Sequence, residues 1–505
     1  MSLGAALLQR ATQTPEAPAL EFAAGTWSFA DLAGRARCVA SHLQRAAPDA
    51  TGIGLLIEDP AQFAAWFLGA ALAERTVLPL NWRLTAGELA QQLADARANL
   101  LLGAAGDPRL AEVAAQVRGL RVEVAPAAAA LTEACALPDM RHGDGDEATL
   151  AVLFTSGTTG RARGACLSWR NFHASALAAA DRLGPAVQGR WLACMPLFHV
   201  GGLSILVRSL LFGGPVRLQP RFEPTAVSDA LDAGDVAGVS LVPTMLSRLL
   251  AHRGTLAAPP GLQVVLLGGA AAAPELLERA LAAGYPLCPT YGLTEATSQV
   301  ATAAPPASEA RRPAPMLAVR GTELRILAAE GAEAPVGMPG EILLRGPTVM
   351  QGYLHDPAAT ARALRDGWLH TGDVGYLDAE GGLHMLDRRD DLIVSGGENV
   401  YPAEVEAVLL ERPSVEDAGV AGVPDADLGA RVVAWIVVAP DARLSVGELQ
   451  QHCRERLAGF KQPREFRFVD ALPRNAAGKL QRRRLAESSV GNAGLGVTSN
   501  PSASQ

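Results

Sequence analysis

The stretch Leu153-Phe154-Thr155-Ser156-Gly157-Thr158-Thr159-Gly160-Arg161-Ala162-Arg163-Gly164 follows an apolar run, Thr149 to Phe154, and then packs three glycines and four hydroxyls into ten residues. Glycines let backbone N–H groups turn toward an anion, and Ser and Thr hydroxyls add donors that need no fixed charge. A strand that runs into such a loop is a candidate polyphosphate cradle, with Thr155, Ser156, Gly157, Thr158, Thr159 and Gly160 as its contacts. A plain surface loop has the same composition, so the surroundings must decide. A Walker loop is excluded: Gly160 is followed four positions later by Gly164 and then by Ala165, so G-x-x-x-x-G-K-[ST] cannot be laid on these residues.

Outward from the loop, strand-like runs (Gly52 to Ile57, Thr149 to Phe154, Val236 to Val242, Leu262 to Leu267) alternate with Ala- and Leu-rich segments of helical period. That alternation predicts an α/β fold built in layers. After Gly321 the texture changes to short alternating strands separated by glycine, Glu323 to Leu327, Gly340 to Arg345 and Gly382 to Leu386. These suit a small β-barrel or antiparallel subdomain. Beyond them a helix (Pro402 to Leu410), two strands (Val415 to Val423, Arg431 to Val438) and a helix (Ser445 to Leu457) predict a small α+β domain. We divide the chain into a large N-terminal domain, 1–389, a C-terminal domain, 390–487, and a Gly/Ser/Asn-rich tail, 488–505, expected to be disordered.

At 505 residues, with 49% hydrophobic and 19% charged residues, the chain is long enough for several domains with a sizeable core. A net charge of -8 argues against a general nucleic-acid binder. The six cysteines are scattered without a C-x-x-C pair, which suits reduced thiols in a cytoplasmic protein. No transmembrane segment is expected: the apolar stretch before Gln9 and Arg10 is too short for a signal core or a span.

Further short motifs follow in order. Leu267-Gly268-Gly269-Ala270, Tyr291-Gly292-Leu293-Thr294-Glu295, Thr371-Gly372-Asp373, the run Asp387 to Glu406, and Pro473-Arg474-Asn475-Ala476-Ala477-Gly478-Lys479-Leu480-Gln481-Arg482 would each pass alone for a turn or a solvated stretch. Together with the phosphate loop they resemble the signature set of the adenylate-forming (AMP-binding, acyl-CoA synthetase) superfamily. The resemblance implies a mobile C-terminal domain, ATP, Mg²⁺ and coenzyme A as cofactors, and a small-molecule carboxylic acid as substrate.

It also implies roles. The Tyr291 ring would stack on adenine beside Gly292, Thr294 would bind the α-phosphate and Glu295 would hold Mg²⁺. Gly268, Gly269 and Ala270 would let adenine and the acyl group lie against backbone. Asp373 would accept both ribose hydroxyls. Arg388 would contact ribose, Asp390 would be the hinge, and Gly396, Gly397 and Glu398 would line the coenzyme A channel after domain rotation. Lys479 would enter the site for adenylation. Catalysis would thus fall to Lys479, Thr294, Glu295 and Arg388. The chain departs from the family pattern at Ala162 (proline is usual), at Arg163 (a phosphate contact where lysine is usual) and at Asp387 (glycine is usual).

The segment Met195 to Leu206 resembles the family stretch whose histidine, here His199, borders the acyl pocket. The continuation Gly202 to Leu206, and Thr297-Ser298-Gln299, look like the 2-succinylbenzoate–CoA ligase branch of menaquinone biosynthesis, with His199, Gly268, Gly269 and Ser298 as pocket residues. Fatty acids and benzoates remain open as substrates, as does loading of a separate carrier protein. A non-catalytic binding protein is disfavoured by intact Thr294, Glu295, Asp373 and Lys479. Oligomeric state is left open, self-association included.

Overall fold

The structure, a computed structural model, describes residues 2–127, 145–156, 162–269, 272, 274–306, 313–328, 331–387, 393–440, 442–473, 480, 482 and 484–486. They fall into two compact units, the first within 1–155 and 162–388, the second within 156–161 and 389–505.

In the first unit, strands Thr149–Ser156, Thr76–Pro79, Gly52–Leu56, Leu100–Gly103 and Arg121–Val124 lie side by side as a parallel run. Ala162–Ser168 and Gly352–Tyr353 extend that sheet at one edge. Strands such as Leu100–Gly103 are buried throughout, as expected where both faces of a parallel sheet are covered. The helix Pro60–Leu72 is apolar all round, with Trp66 and Phe67 fully buried, and its first turn is fixed by Asp59, whose carboxylate accepts from Gln62 N at 2.6 Å.

A second sheet centres on the parallel strands Leu287–Leu293, Val264–Leu267, Val236–Leu241, Arg190–Ala193, Val216–Leu218 and Pro18–Phe22. Its two faces separate by alternation. Trp191, Val264 and Leu266 enter the large core that includes Leu203 and Ile205 of helix Val200–Phe212. Leu192, Val239 and Val265 enter another core with Leu231 and Leu249, from helices Pro224–Asp232 and Pro243–Arg253. At the amino ends Arg190 and Arg217 bind Glu21 and Asp235 in a four-residue ion network. The carboxyl ends are left for the loops, where ligands of such sheets bind.

The segment after Gly321 forms an antiparallel sheet from Glu323–Leu327, Gly340–Arg345, Trp368–Leu377, Leu364–Arg365 and Leu383–Asp387. Asp387 lies in this sheet opposite Val374. Its backbone is extended, so replacing a glycine there imposes no conformational strain.

The second unit has strands Glu398–Val400, Ile393–Ser395, Gly429–Val438 and Val415–Asp425, with Glu465–Phe468 parallel to Gly429–Val438. Helices Pro402–Leu410 and Val446–Arg456 cover one face through Val405, Leu409, Leu449 and Cys453. Leu472, Leu480 and Leu485 cover Val433 and Trp435 on the other. Cys38 is buried, Cys166, Cys194, Cys288 and Cys453 are buried free thiols, and burial pushes Cys194 and Cys288 up to about 12. Among the described residues no helix is long and apolar enough to cross a membrane.

Because Phe67 is fully enclosed, Phe67→Ala should cost about 3–5 kcal/mol of stability. A denaturant titration checks this, and an unchanged midpoint would contradict the packing described.

Candidate functional site

Strands Leu287–Leu293 and Ser298–Thr302 form an antiparallel hairpin, tipped by a 3-10 turn, Thr294–Ala296. Closure requires glycine at 292, since a Cβ there would stand 1.8 Å from the Ser298 carbonyl oxygen. The return path is strained: Thr297 and Ser298 both have positive φ, 51° and 91°. Such non-glycine conformations cost on the order of 1–3 kcal/mol each. Buried bonds offset this. Thr297 Oγ1 donates to the Thr348 carbonyl at 2.7 Å, and Ser175 Oγ donates to the Thr297 carbonyl at 2.6 Å.

The tip buries the Glu295 carboxylate, which is 7% exposed. Its Oε1 accepts from Tyr353 Oη at 2.9 Å, with Thr155 Oγ1 at 3.4 Å. No group of three or more acidic, His or Cys side chains able to hold a metal occurs among the described residues. A single carboxylate whose Oε2 takes no hydrogen bond from the described residues still fits Mg²⁺, which takes one or two protein oxygens and completes its shell with waters and phosphates.

Tyr291 lies at the hairpin's root, its ring 4% exposed and its hydroxyl donating to Asp373 Oδ2 at 2.7 Å. Thr371, Gly372 and Asp373 are held by the neighbouring strand: Thr371 Oγ1 donates to the Ile342 carbonyl at 2.7 Å and accepts from Asp373 N at 3.0 Å. Gly372 N donates to Glu341 Oε1 at 3.0 Å. Gly268 abuts the hairpin as well, for a Cβ there would stand 2.7 Å from Thr290 Cγ2, and Gly269 follows with φ +83°. The structure thus brings Thr155, Gly268, Gly269, Tyr291, Gly292, Thr294, Glu295, Ser298 and Asp373 into one neighbourhood around the hairpin.

His199 caps helix Val200–Phe212 from the preceding position, half-buried, with its ring 4.5 Å from that of Phe198. Further along this helix lies a feature the sequence reading missed. Arg208 is 4% exposed, its guanidinium sits over the Trp191 indole at 4.7 Å, and its Nη2 has no hydrogen-bond partner among the described residues. One turn earlier, the Ser204 hydroxyl is also buried without a partner. Burial alone pushes Arg208 down to about 10, so it stays a cation at neutral pH. An uncompensated buried charge is costly and calls for an anion. The signal in the sequence was the single charge inside an otherwise apolar helix.

In the second unit, Gly396 (φ +59°) and Gly397 (φ +84°) make the two-residue turn between Ile393–Ser395 and Glu398–Val400, with Glu398 buried. The following helix is tied by two ion pairs, Glu404 to Lys461 at 2.7 Å and Glu406 to Arg482 at 2.6 Å. Gly157, Thr158, Thr159, Gly160, Ala270, Arg388, Asp390, Lys479 and the 488–505 tail lie outside the described residues, as does the Ser156 side chain.

A family model described as AMP-binding enzyme matches residues 7–354, and one described as AMP-binding enzyme C-terminal domain matches residues 404–479. A 2-succinylbenzoate–CoA ligase from Geobacillus kaustophilus is 42% identical over 492 residues, covering 95% of this chain and 96% of that protein. A double mutant of o-succinylbenzoate CoA synthetase from Bacillus subtilis, bound with its product analogue OSB-NCoA, is similar with a TM-score of 0.86. It is 34% identical, over 95% of this chain and 98% of that one. The B. subtilis enzyme in complex with ATP and magnesium ion matches with a TM-score of 0.71 at 36% identity, over 95% and 98% of the two chains.

Since a methyl group at 292 forces the hairpin apart, Gly292→Ala should lower acid-dependent AMP release by about 100-fold, the scale of a 1 Å misplacement. Parental rates in this variant would show that the hairpin does not organise the site.

Proposed function

The chain belongs to the AMP-binding enzyme family, and from that premise we propose that it is an ATP-dependent acid–CoA ligase acting on 2-succinylbenzoate in menaquinone biosynthesis. The observation that carries the choice of acid is Arg208. An acid with a second carboxylate supplies the anion that this buried guanidinium and the Ser204 hydroxyl lack, and a fatty acid or simple benzoate supplies none. The relatives that bear this activity in their names, similar over nearly the whole chain, support the same reading.

In the proposed first step a substrate carboxylate oxygen attacks the α-phosphorus of ATP. The bond to the bridging oxygen breaks, pyrophosphate leaves, and an acyl-AMP remains. The chain's work here is positioning and charge neutralisation. We assign Thr155, Ser156, Gly157, Thr158, Thr159, Gly160 and Arg163 to the phosphates, with Thr294 on the α-phosphate. Asp373, held in place by the Tyr291 hydroxyl, would take the ribose. Glu295 would hold Mg²⁺, which supplies neutralising charge to the phosphates when bound.

Lys479 is assigned to the charge that develops on the carboxylate and α-phosphate, and Arg388 to the ribose. In the second step the thiol of coenzyme A, as thiolate, attacks the acyl carbonyl and AMP leaves. Gly396, Gly397 and Glu398 are assigned to the pantetheine channel, with Asp390 as hinge and His199, Gly268, Gly269 and Ser298 bordering the acyl group. We place the activity in the cytoplasm.

The test is CoA-thioester formation with ATP and Mg²⁺ across 2-succinylbenzoate, benzoates and a ladder of fatty acids. Preference for 2-succinylbenzoate is expected. Preference for a monocarboxylate would overturn the acid assignment, and acyl-AMP without thioester would point to a carrier protein as acceptor. Arg208→Gln should raise the KM for 2-succinylbenzoate by about 10- to 100-fold, the worth of a hydrogen bond to a charged group, while sparing monocarboxylates. An equal loss on all acids would return Arg208 to a packing role. Lys479→Ala should slow adenylation by on the order of 10²- to 10³-fold and leave thioester formation from supplied acyl-AMP intact. Equal damage to both half-reactions would refute that assignment.

A further inference from the structure

Tyr353 belongs to none of the motifs that led to the site, yet it makes the shortest hydrogen bond to Glu295 among the described residues. Its placement is tightly determined. The strand Gly352–Tyr353 pairs with Ala162–Ser168, Tyr353 opposite Ala165. Tyr353 N donates to Thr360 Oγ1 at 2.9 Å, and Leu354 N donates to the Gly164 carbonyl at 2.8 Å. The phenol, 8% exposed, therefore meets the Glu295 carboxylate from a fixed direction and occupies Oε1. Among the described residues none donates a hydrogen bond to Oε2.

Against the same ring stands Arg163, the arginine where the family pattern has lysine. Its guanidinium carbon is 5.7 Å from the Tyr353 ring centroid, and its Nε is 3.8 Å from Asp356 Oδ2. A planar guanidinium can lie on an aromatic face in a way that a lysine ammonium, a compact point charge, does not reproduce.

We propose that Tyr353 is a positioning residue for Glu295, orienting its free oxygen toward Mg²⁺, and that Arg163 braces Tyr353 from the phosphate-loop strand. The arginine substitution then has a use beyond retained charge: it couples the strand leaving the phosphate loop to the carboxylate proposed to hold the metal. Partners that orient a ligating carboxylate are normal in metal sites, and their loss usually lowers metal affinity about 10- to 100-fold.

This inference rests on the proposed function, and its test separates the two. Calorimetry on the full chain, with no acid present, measures ATP affinity with Mg²⁺ and again with EDTA. Tyr353→Phe keeps the ring and removes the hydroxyl. It should weaken ATP binding in Mg²⁺ by about 10-fold, leave binding in EDTA unchanged and melt at the parental temperature. Arg163→Gln also loses the phosphate contact assigned to Arg163, so it should weaken ATP binding in EDTA as well, but more in Mg²⁺ than in EDTA, and that excess should vanish when it is combined with Tyr353→Phe. It carries the test alone if Tyr353→Phe does not fold.

Unchanged affinity in Mg²⁺ for the folded variant overturns the inference, and so does an equal fall with and without metal, which would mark a general loss of the pocket. A parent protein whose ATP binding ignores Mg²⁺ overturns the proposed function together with it.

Discussion

The absence of a side chain at Gly292, where a Cβ would stand 1.8 Å from the Ser298 carbonyl oxygen, is the constraint on which the site depends. Only because nothing projects from residue 292 can the strands Leu287–Leu293 and Ser298–Thr302 close, and only a closed hairpin carries the Thr294–Ala296 turn into the core. From that closure follow the burial of Glu295, the reach of Tyr291 to Asp373 and the αL conformation of Thr297, which is held by hydrogen bonds from and to residues far away in sequence. The antiparallel sheet after Gly321 contributes its half by fixing Thr371, Gly372 and Asp373 against Glu341 and Ile342. Local strain and distant anchoring are thus two sides of one arrangement.

Buried charge sorts the molecule into structure and function. The pairs Glu404–Lys461 and Glu406–Arg482 are matched within the second unit, and the Glu21, Arg190, Arg217 and Asp235 network is matched at the amino ends of a sheet. These need no ligand. Asp373 and Glu295 each accept from a tyrosine that holds the carboxylate in place. Arg208 has an aromatic face and, among the described residues, no anion. The gradient from satisfied to unsatisfied points from scaffold to site, as the desolvation cost of charge requires.

Much of this was legible in the sequence because short-range rules govern it. Glu323–Leu327 alternates with period two, Gly340–Arg345 is a short apolar run opened by glycine, and the helix Pro402–Leu410 opens on proline at its first turn. Gly268, Gly292 and Gly396 could be picked out because glycine in a motif signals a close approach or a turn. What depends on long-range pairing was not legible. Nothing in Pro18–Phe22 says that it will lie beside Val216–Leu218, and nothing in Gly352-Tyr353 says that its hydroxyl will meet a carboxylate fifty-eight positions earlier. Asp387 stands where glycine is usual in the family, yet it takes an extended strand position that any residue adopts.

The central claim is that this one hairpin-based site activates a dicarboxylic acid as its adenylate. The most direct measurement is isotope exchange between pyrophosphate and ATP, with Mg²⁺ and without coenzyme A, in the presence and absence of 2-succinylbenzoate. The account predicts exchange that appears only when 2-succinylbenzoate is added. Exchange that ignores the acid, or its absence at saturating acid and ATP, would contradict it.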